Sequence, residues 1–345
     1  MTKTRIWVAR LLVCFALIGA AEPARAQRAL RINLGTVAPE GSPWHQALQK
    51  MGQDWQRASG GAVTLRIYPS GVLGDESEML RKVRIGQLQA VALSGAGLSH
   101  AEPAVSCFTI PMLIESYEEL DYIRERIAPK IEVLLRAKGF VTLNWGDVGW
   151  VHFFTKQPAR TLDEIRKMKL FTSAGDPDTE ALYKEFGFQP VPLAVTDMLP
   201  SLQTGLLDAI DVPPLFALLD QSFGLAKNMI PIKWAPLVGA TVVSKQVWER
   251  IPAPQAEELL RLSRATGNQL REQVRTLNDQ AIVEMKKRGL NVIELDQAAV
   301  ARWRAEAEGA YPKLRGRLVP ADLFDETMRL RNEFRSSRPA RAPAR

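Results

Sequence analysis

Short strand-like runs alternate with helix-like runs along most of this 345-residue chain, and this alternation constrains the fold more than any other feature. Apolar residues alternate at positions 30–34 and 63–67, whereas residues 44–55 place apolar side chains at helical spacing. Regular alternation of strands and helices is typical of α/β proteins with largely parallel sheets. We therefore expect an α/β fold.

The alternation occurs in two successive series. The second begins near Trp150, and Thr161 with Glu164 has the spacing of a capping box that opens a helix. An apolar strand is predicted at 237–244, and residues 253–289 then keep a helical pattern that is interrupted at Gly267. Because a helix of this length can run along more than one domain, we expect it to brace two lobes.

The first 26 residues have the pattern of an export signal. Lys3, Arg5 and Arg10 precede an apolar stretch at 11–21, and small residues surround position 26. The apolar stretch is shorter than the roughly 20 residues that a membrane-spanning helix needs. We therefore expect cleavage after residue 26, a periplasmic location and no stable membrane insertion of the mature chain.

The charge distribution does not favour nucleic-acid binding. The formal net charge is +7, but it includes the basic residues of the export signal and of the Pro/Ala/Arg-rich segment 336–345. We expect that segment to be a disordered tail. In the body of the chain, acidic and basic residues are interspersed, without the basic, aromatic-rich face of a nucleic-acid-binding protein. Cys107 is the only cysteine after the signal, so no intramolecular disulfide is expected.

The sequence contains few of the motifs that mark enzymes. It has no G-x-S-x-G, H-E-x-x-H, P-loop or C-x-x-C sequence. The three histidines, His45, His100 and His152, are far apart in the sequence and match no metal-ligand spacing. These observations favour a binding protein over an enzyme.

Five segments of the chain together form a recognisable pattern. They are GTVAPEGSP at 35–43, IYPSGVLGD at 67–75, VRIGQL at 83–88, GFQPVP at 187–192 and LQTGLLDAID at 202–211. In this order they resemble the extracytoplasmic solute-binding subunits of TRAP-type transporters, the dicarboxylate-binding-protein family. The resemblance covers nearly the whole chain after the export signal.

The resemblance implies a periplasmic-binding-protein-like (Venus-flytrap) fold, with two α/β lobes, hinge crossovers and a long bracing helix. We expect lobe I to comprise residues 28–148 and 237–282, and lobe II residues 149–236 and 283–335. The implied function is to capture a small organic ligand between the lobes and deliver it to the membrane permease subunits of a TRAP transporter, without catalysis.

The chain departs from its relatives at three positions where they carry polar ligand-binding residues. The arginine that binds a ligand carboxylate in most relatives falls on Phe171, and a second common arginine falls near Val151. A frequent asparagine is Val212 here. A simple dicarboxylate or sialic acid is therefore not the expected ligand.

Ligands of open α/β sheets bind beyond the carboxyl ends of the strands. Two interpretations follow for this cleft: an apolar or aromatic ligand could stack on the tryptophans, or Asp147 and Asp211 could bind a cation. That cation would be a ligand amine, or a Ca²⁺ or Na⁺ ion that bridges to a carboxylate; no firm metal site and no other cofactor is predicted. The predicted ligand-binding residues are Trp44, Ser94, Trp145, Asp147, Trp150, Phe171, Thr172, Asp211 and Trp234.

Two alternative functions stay open at this point. The protein could present its ligand to a sensory receptor or a scaffold partner. It could also be an enzyme on the same scaffold, for which Asp147, Asp211 and His152 are the candidate catalytic groups.

Overall fold

The computed structural model describes residues 29–174 and 177–337. The predicted export signal and nearly all of the predicted tail lie outside the described residues. Within the described part of the chain, no helix is both long and apolar enough to cross a membrane.

The first of two sheets has five strands in the order β2-β1-β3-β10-β4. β1, β2 and β3 are parallel, whereas β10 runs antiparallel to both β3 and β4. The strands are β1 (Leu30–Thr36), β2 (Val63–Tyr68), β3 (Ala90–Ser94), β4 (Phe140–Trp150) and β10 (Pro236–Ser244). We call this sheet and the helices packed on it lobe I.

The second sheet has six strands in the order β11-β9-β5-β8-β6-β7. Its strands are β5 (His152–Thr155), β6 (Lys169–Ser173), β7 (Gln189–Leu193), β8 (Ala209–Val212), β9 (Asn228–Ile230) and β11 (Asn291–Val292). We call this sheet and its helices lobe II. Both sheets are mixed rather than purely parallel, because the strands that carry the chain between the lobes pair antiparallel with their neighbours.

Twelve α-helices are described. They are α1 (Pro43–Ala58), α2 (Glu76–Arg84), α3 (Gly95–Ser99), α4 (Tyr117–Ala137), α5 (Leu162–Arg166), α6 (Pro177–Glu185), α7 (Met198–Thr204), α8 (Pro214–Leu219), α9 (Lys245–Trp248), α10 (Ala253–Lys287), α11 (Gln297–Leu314) and α12 (Ala321–Ser336).

Helix starts follow the capping signals in the sequence. Ser42 caps α1 by accepting a hydrogen bond from the His45 backbone N–H at 3.3 Å, and Thr161 with Glu164 forms the predicted reciprocal capping box of α5. The apolar face of α1 is buried, and its Trp55 donates from Nε1 to the Leu259 carbonyl at 3.1 Å. The Trp55 hydrogen bond thereby ties α1 to α10, the helix Ala253–Lys287.

The chain passes between the two sheets at two adjacent crossovers. Val151 joins β4 to β5, and residues 231–235 join β9 to β10. The Val151 N–H donates to the Ala235 carbonyl at 2.8 Å, and the Trp234 N–H donates to the Val151 carbonyl at 2.9 Å. The crossovers are therefore hydrogen-bonded to each other and form one hinge between the lobes.

The predicted long helix is present as α10, and it contacts both lobes. It packs on α1 and β4 of lobe I and on α8 of lobe II. Asn278 on this helix donates from Nδ2 to the Val148 carbonyl at 3.0 Å and accepts from the Leu215 N–H at 3.0 Å. One buried amide thus connects the hinge strand to the first turn of α8.

Gly267 explains how α10 can lie so close to β4. A Cβ at this position would stand 2.7 Å from the Asn144 Cβ and 2.8 Å from the Trp145 carbonyl oxygen, both on β4. The interruption of the helical pattern is therefore a packing requirement.

The last helix differs from the predicted lobe assignment. Residues 283–335 were expected in lobe II, and Trp303 on α11 does pack in the lobe II core with Phe153 and Trp234. However, α12 packs on α4 of lobe I, and its Phe324 and Leu330 belong to the lobe I core. The chain therefore returns to lobe I along α11, because the apolar face of α12 is buried there.

Replacing Gly267 by alanine should destabilise the protein although alanine favours helix, because the added Cβ would overlap β4. We expect the free energy of unfolding to fall by about 1–3 kcal/mol. Gly309→Ala on α11 is the matched control, since no atom lies within 4 Å of a Cβ there. That control should gain roughly 0.5–1 kcal/mol from helix propensity. Urea unfolding of both variants measures the difference, and equal stabilisation of the two would contradict the close approach of α10.

Candidate functional site: the cleft between the lobes

A cavity of about 400 Å³ lies between the lobes. Residues of both sheets line it, including Thr36, Ser94 and Gly239 from lobe I and Phe171, Thr172 and Asp211 from lobe II. These residues lie at or near the ends of their strands, as expected for ligand sites of open α/β sheets. The two lobes also come close outside the cavity lining, where Thr196 of lobe II lies next to Gly71 of lobe I.

The lobe I wall contains two of the predicted site residues in different roles. Trp44 lines the cavity and donates from Nε1 to the Asp147 carbonyl at 3.1 Å. Ser94 also lines the cavity, but its Oγ–H donates to the buried Glu76 carboxylate at 2.6 Å and its N–H donates to the same group. Ser94 therefore holds Glu76 in place and has its own hydroxyl proton engaged.

The lobe II wall contains four of the predicted residues, Phe171, Thr172, Asp211 and Trp234, and it is mostly apolar. Phe171 and Trp234 line the cavity, and Phe171 packs in the core of lobe II with Val212. Thr172 also lines the cavity and is 4% exposed, and its Oγ1 makes no hydrogen bond within the described part of the protein. This hydroxyl is available to a ligand.

Asp147 is at the cavity, but its carboxylate is engaged elsewhere. One oxygen accepts from Arg124 of α4, and the other accepts from Nε of Arg275 of α10 at 2.7 Å. Arg275 also binds Asp121 of α4 through two hydrogen bonds of 2.7 Å. Because both oxygens of Asp147 bind guanidinium groups, the expectation that Asp147 binds a cationic ligand or a bridging metal finds no support in this arrangement.

Trp145 and Trp150 do not line the cavity, in contrast to the prediction. Trp145 donates from Nε1 to Glu132 at 2.9 Å and packs edge-on against Phe108 of lobe I. Trp150 is 4% exposed and packs against Tyr117. Both side chains belong to lobe I packing, because their partners Glu132 and Tyr117 lie on helix α4 of lobe I.

Asp211 is the one predicted carboxylate that remains free of an ion pair. It lines the cavity at the end of β8 and accepts a hydrogen bond from Tyr183 of α6. No ion pair joins it to a described lysine or arginine. Burial raises the pKa of Asp211 to about 7, against the opposing effects of its own backbone N–H and of Tyr183.

Among the described lining residues, the single basic side chain is Arg166, and its charge is already paired. It binds Asp163 at 2.6 Å and Glu306 at 2.9 Å, and its Nε donates to the Phe186 carbonyl. The cavity therefore offers an incoming carboxylate no unpaired guanidinium from the described residues.

The residues considered for catalysis or metal binding do not form a centre. His152 is buried outside the cavity lining, and burial lowers its pKa to about 4. Among the described residues, no three His, Cys, Asp or Glu side chains gather where a metal ion could bind. Calcium takes about six to eight oxygen ligands, and Asp211 with Tyr183 and Thr172 does not supply such a set.

The comparison with known proteins agrees with this architecture. The sequence model of the bacterial extracellular solute-binding proteins, family 7, matches residues 34–316. The chain belongs to this solute-binding family.

Named relatives in the family match over most of their length. The C4-dicarboxylate-binding periplasmic protein DctP of Rhodobacter capsulatus is 25% identical over 274 residues, which cover 77% of this chain and 80% of the relative. The sugar acid binding protein DctPAm of Advenella mimigardefordensis, solved with galactonate, superposes with a TM-score of 0.82 at 16% identity and covers 89% and 99% of the two chains. A TRAP periplasmic solute-binding protein of Pseudomonas putida, solved with D-glucuronate, has a TM-score of 0.73 at 25% identity and covers 84% and 96%.

Three apolar residues that were predicted to stand where relatives carry polar groups line the cavity of this solute-binding protein. They are Val151, Phe171 and Val212, and each is at most 9% exposed. In this chain they make part of the cavity wall apolar.

Sequence reasoning missed Tyr183 and Arg124. Tyr183 lies one helix after β6, and no pattern connects it with Asp211 before the fold is known. Arg124 did carry a signal, because it occupies the apolar face of α4 between Leu120 and Ile127, and a charge on such a face must find a partner.

Replacing Asp211 by asparagine should stabilise the folded protein at high pH. The folded pKa of about 7 lies above the unfolded value near 3.8, so the wild type loses stability as pH rises from 4 to 7. At pH 8 the variant should be more stable by on the order of 2–4 kcal/mol, and at pH 4 the difference should be small. Denaturant unfolding from pH 4 to 8 measures this, with Asp208→Asn outside the cavity as the control. A difference that does not change with pH would contradict the burial of this carboxylate.

Proposed function

We propose that this protein captures a small organic ligand with a largely apolar body in the periplasm, and delivers it to the permease subunits of a TRAP-type transporter without chemical change. The observation that carries the proposal is the cavity of about 400 Å³ between the lobes of a family 7 solute-binding fold. Its size lies within the roughly 300–1,000 Å³ that is usual for small-molecule sites.

The hinge supports capture by closure of the lobes. The two crossovers are short and adjacent, so a few backbone torsions can change the angle between the sheets. A ligand that contacts both walls binds the closed form better than the open form, and it therefore shifts the population toward closure. The permease would then distinguish loaded from empty protein by shape.

The composition of the cavity supports a ligand class different from those of several relatives. Galactonate, D-glucuronate and C4-dicarboxylates are anionic or strongly hydroxylated. Here Phe171, Val151 and Val212 replace polar groups at the wall, and Trp44 and Trp234 add aromatic surface. A ligand with an apolar body removes apolar surface of this wall from water when it binds. This burial stabilises the complex by roughly 25 cal/mol per Å² of apolar surface.

Native mass spectrometry of the purified mature protein, before and after denaturation, tests the capture step. We expect a released organic molecule, or specific stabilisation by members of a broad metabolite panel. The released or selected compound is then offered to vesicles that contain the permease subunits, and uptake should require this protein. Absence of binding to any compound in the panel would contradict the proposal, and conversion of the bound compound would favour an enzyme.

Closure also predicts a specific effect at Gly71. A Cβ there would stand 2.9 Å from Cγ2 of Thr196 on the opposite lobe. Gly71→Asn should therefore hold the lobes apart and weaken binding of the compound identified above at least tenfold. Asparagine is chosen because it tolerates the positive φ of 66° at this position.

Gly41→Asn is the matched control, since its φ is 76° and a Cβ there meets no atom within 4 Å. Adding Thr196→Gly to Gly71→Asn should restore part of the affinity. Calorimetry measures affinity, and small-angle scattering measures compaction on binding. If Gly71→Asn binds and compacts like the wild type, this contact does not form in the loaded state.

A further inference from the structure

We propose that the ligand carries a cationic nitrogen on its apolar body, and that Asp211 is the counter-ion that selects it. The inference rests on the proposed function and names the chemical class that the cleft selects. Three observations carry it: the unpaired carboxylate of Asp211 at the wall, a neighbouring unpartnered hydroxyl, and the pairing of the basic group in the described lining.

The first observation is the position of Asp211 in an apolar wall. The apolar lining residues Val212 and Phe171 supply no polar partner, whereas Tyr183 and the backbone N–H of Asp211 supply hydrogen bonds. Among the described residues, this partly buried carboxylate accepts from Tyr183 and from its own backbone N–H, which leaves acceptor capacity for a ligand. An ionised carboxylate in such surroundings is costly unless a cation approaches it. A ligand ammonium removes that cost, whereas a ligand carboxylate increases it.

The second observation is the Thr172 hydroxyl. The parallel strands β6 and β8 pair at Leu170 and Ala209, and Thr172 and Asp211 follow two residues later on each strand. Their side chains therefore lie on the same face of the sheet, and both line the cavity. Thr172 is 4% exposed, and its Oγ1 has no described partner. An ammonium has three N–H donors, and it can donate to the carboxylate and the hydroxyl together.

The third observation is the charge balance of the lining. Arg166 is bound to Asp163 and Glu306, so it does not neutralise Asp211. The aromatic faces of Trp44, Phe171 and Trp234 are compatible with a cation, because a positive charge is attracted to an aromatic face. The cavity is thus suited to a positively charged aromatic or aliphatic amine.

A charge-matched series of probes tests the assignment. Tryptamine, tryptophol and indole-3-acetate present a cation, a neutral alcohol and an anion on one ring system, and phenyl and cyclohexyl series repeat the comparison. We expect calorimetry at pH 8 to give at least tenfold tighter binding of the amine than of the alcohol or acid. Asp211→Asn should abolish this preference while alcohol binding persists, and Asp208→Asn should leave the preference unchanged.

The pH dependence supplies an independent readout. The amine stays protonated between pH 6 and 8, so its affinity should rise about tenfold as Asp211, with a pKa of about 7, ionises over that range. In Asp211→Asn the profile should be flat. Other titratable groups near Asp211 are Tyr183 from α6, Arg166 from α5, Glu306 from α11, Glu76 from α2, Asp147 from β4 and His152 from β5. The comparison of wild type with Asp211→Asn separates Asp211 from all of these.

Each outcome decides between the two proposals. Equal binding of amine, alcohol and acid keeps ligand capture and overturns the cation assignment. Tightest binding of the acid, with loss in Arg166→Gln, also overturns it and assigns recognition to the guanidinium. Tighter binding of the alcohol at low pH would show that protonated Asp211 donates a hydrogen bond, which again contradicts a cationic ligand. If no probe of any charge binds, both the cation assignment and the capture function fail.

Discussion

The buried ion-pair network around Asp147 is the interaction on which the geometry of both lobes depends. Asp147 lies on β4, the strand that leads into the hinge, and its oxygens bind Arg124 of α4 and Arg275 of α10. Arg124 is 3% exposed, so its charge could not stay buried without a partner. The network therefore fixes the long helix on the hinge strand. Since α10 also contacts α8 of lobe II, the same network also constrains the position of lobe II relative to the hinge strand.

The ion pairs of Asp147 also explain the distribution of charged side chains around the cleft. Two arginines, Arg124 and Arg275, approach the hinge strand from the helix side of the sheet. Both form ion pairs there with Asp147 and Asp121. The cavity side keeps Arg166, which is paired, and Asp211, which is not. A lobe interface that places its guanidinium groups in structural pairs cannot also offer them to an anionic ligand. The apolar residues Val151, Phe171 and Val212 then follow as the complementary wall, because an unpaired polar side chain there would be costly to bury.

Much of the fold could be predicted from the sequence because the signals are local. The Ser42 cap, the Thr161–Glu164 capping box and the long helical pattern of α10 each depend on residues a few positions apart. The family segments gave the two-lobed architecture as well. The path of α12 could not be predicted, since its apolar face fits either lobe, and only the three-dimensional position of α4 decides which surface it covers.

The lining residues of the cleft were harder to predict than the fold. Alternation of side chains along a strand defines two faces of the sheet, but it does not show which face lines the cleft. Asp147 and Trp145 are two residues apart on β4, and the strand continues past both into the hinge. An acidic residue among tryptophans near a strand end, such as Asp147, is typical of a ligand site. Here, however, the Asp147 carboxylate forms an ion pair with Arg275, which lies 128 residues away in the sequence. Asp211 also lies near the end of a strand, and no described arginine or lysine forms an ion pair with it. The difference between the two carboxylates therefore lies in which distant arginine the fold brings near: α10 brings Arg275 to Asp147, and no described arginine pairs with Asp211.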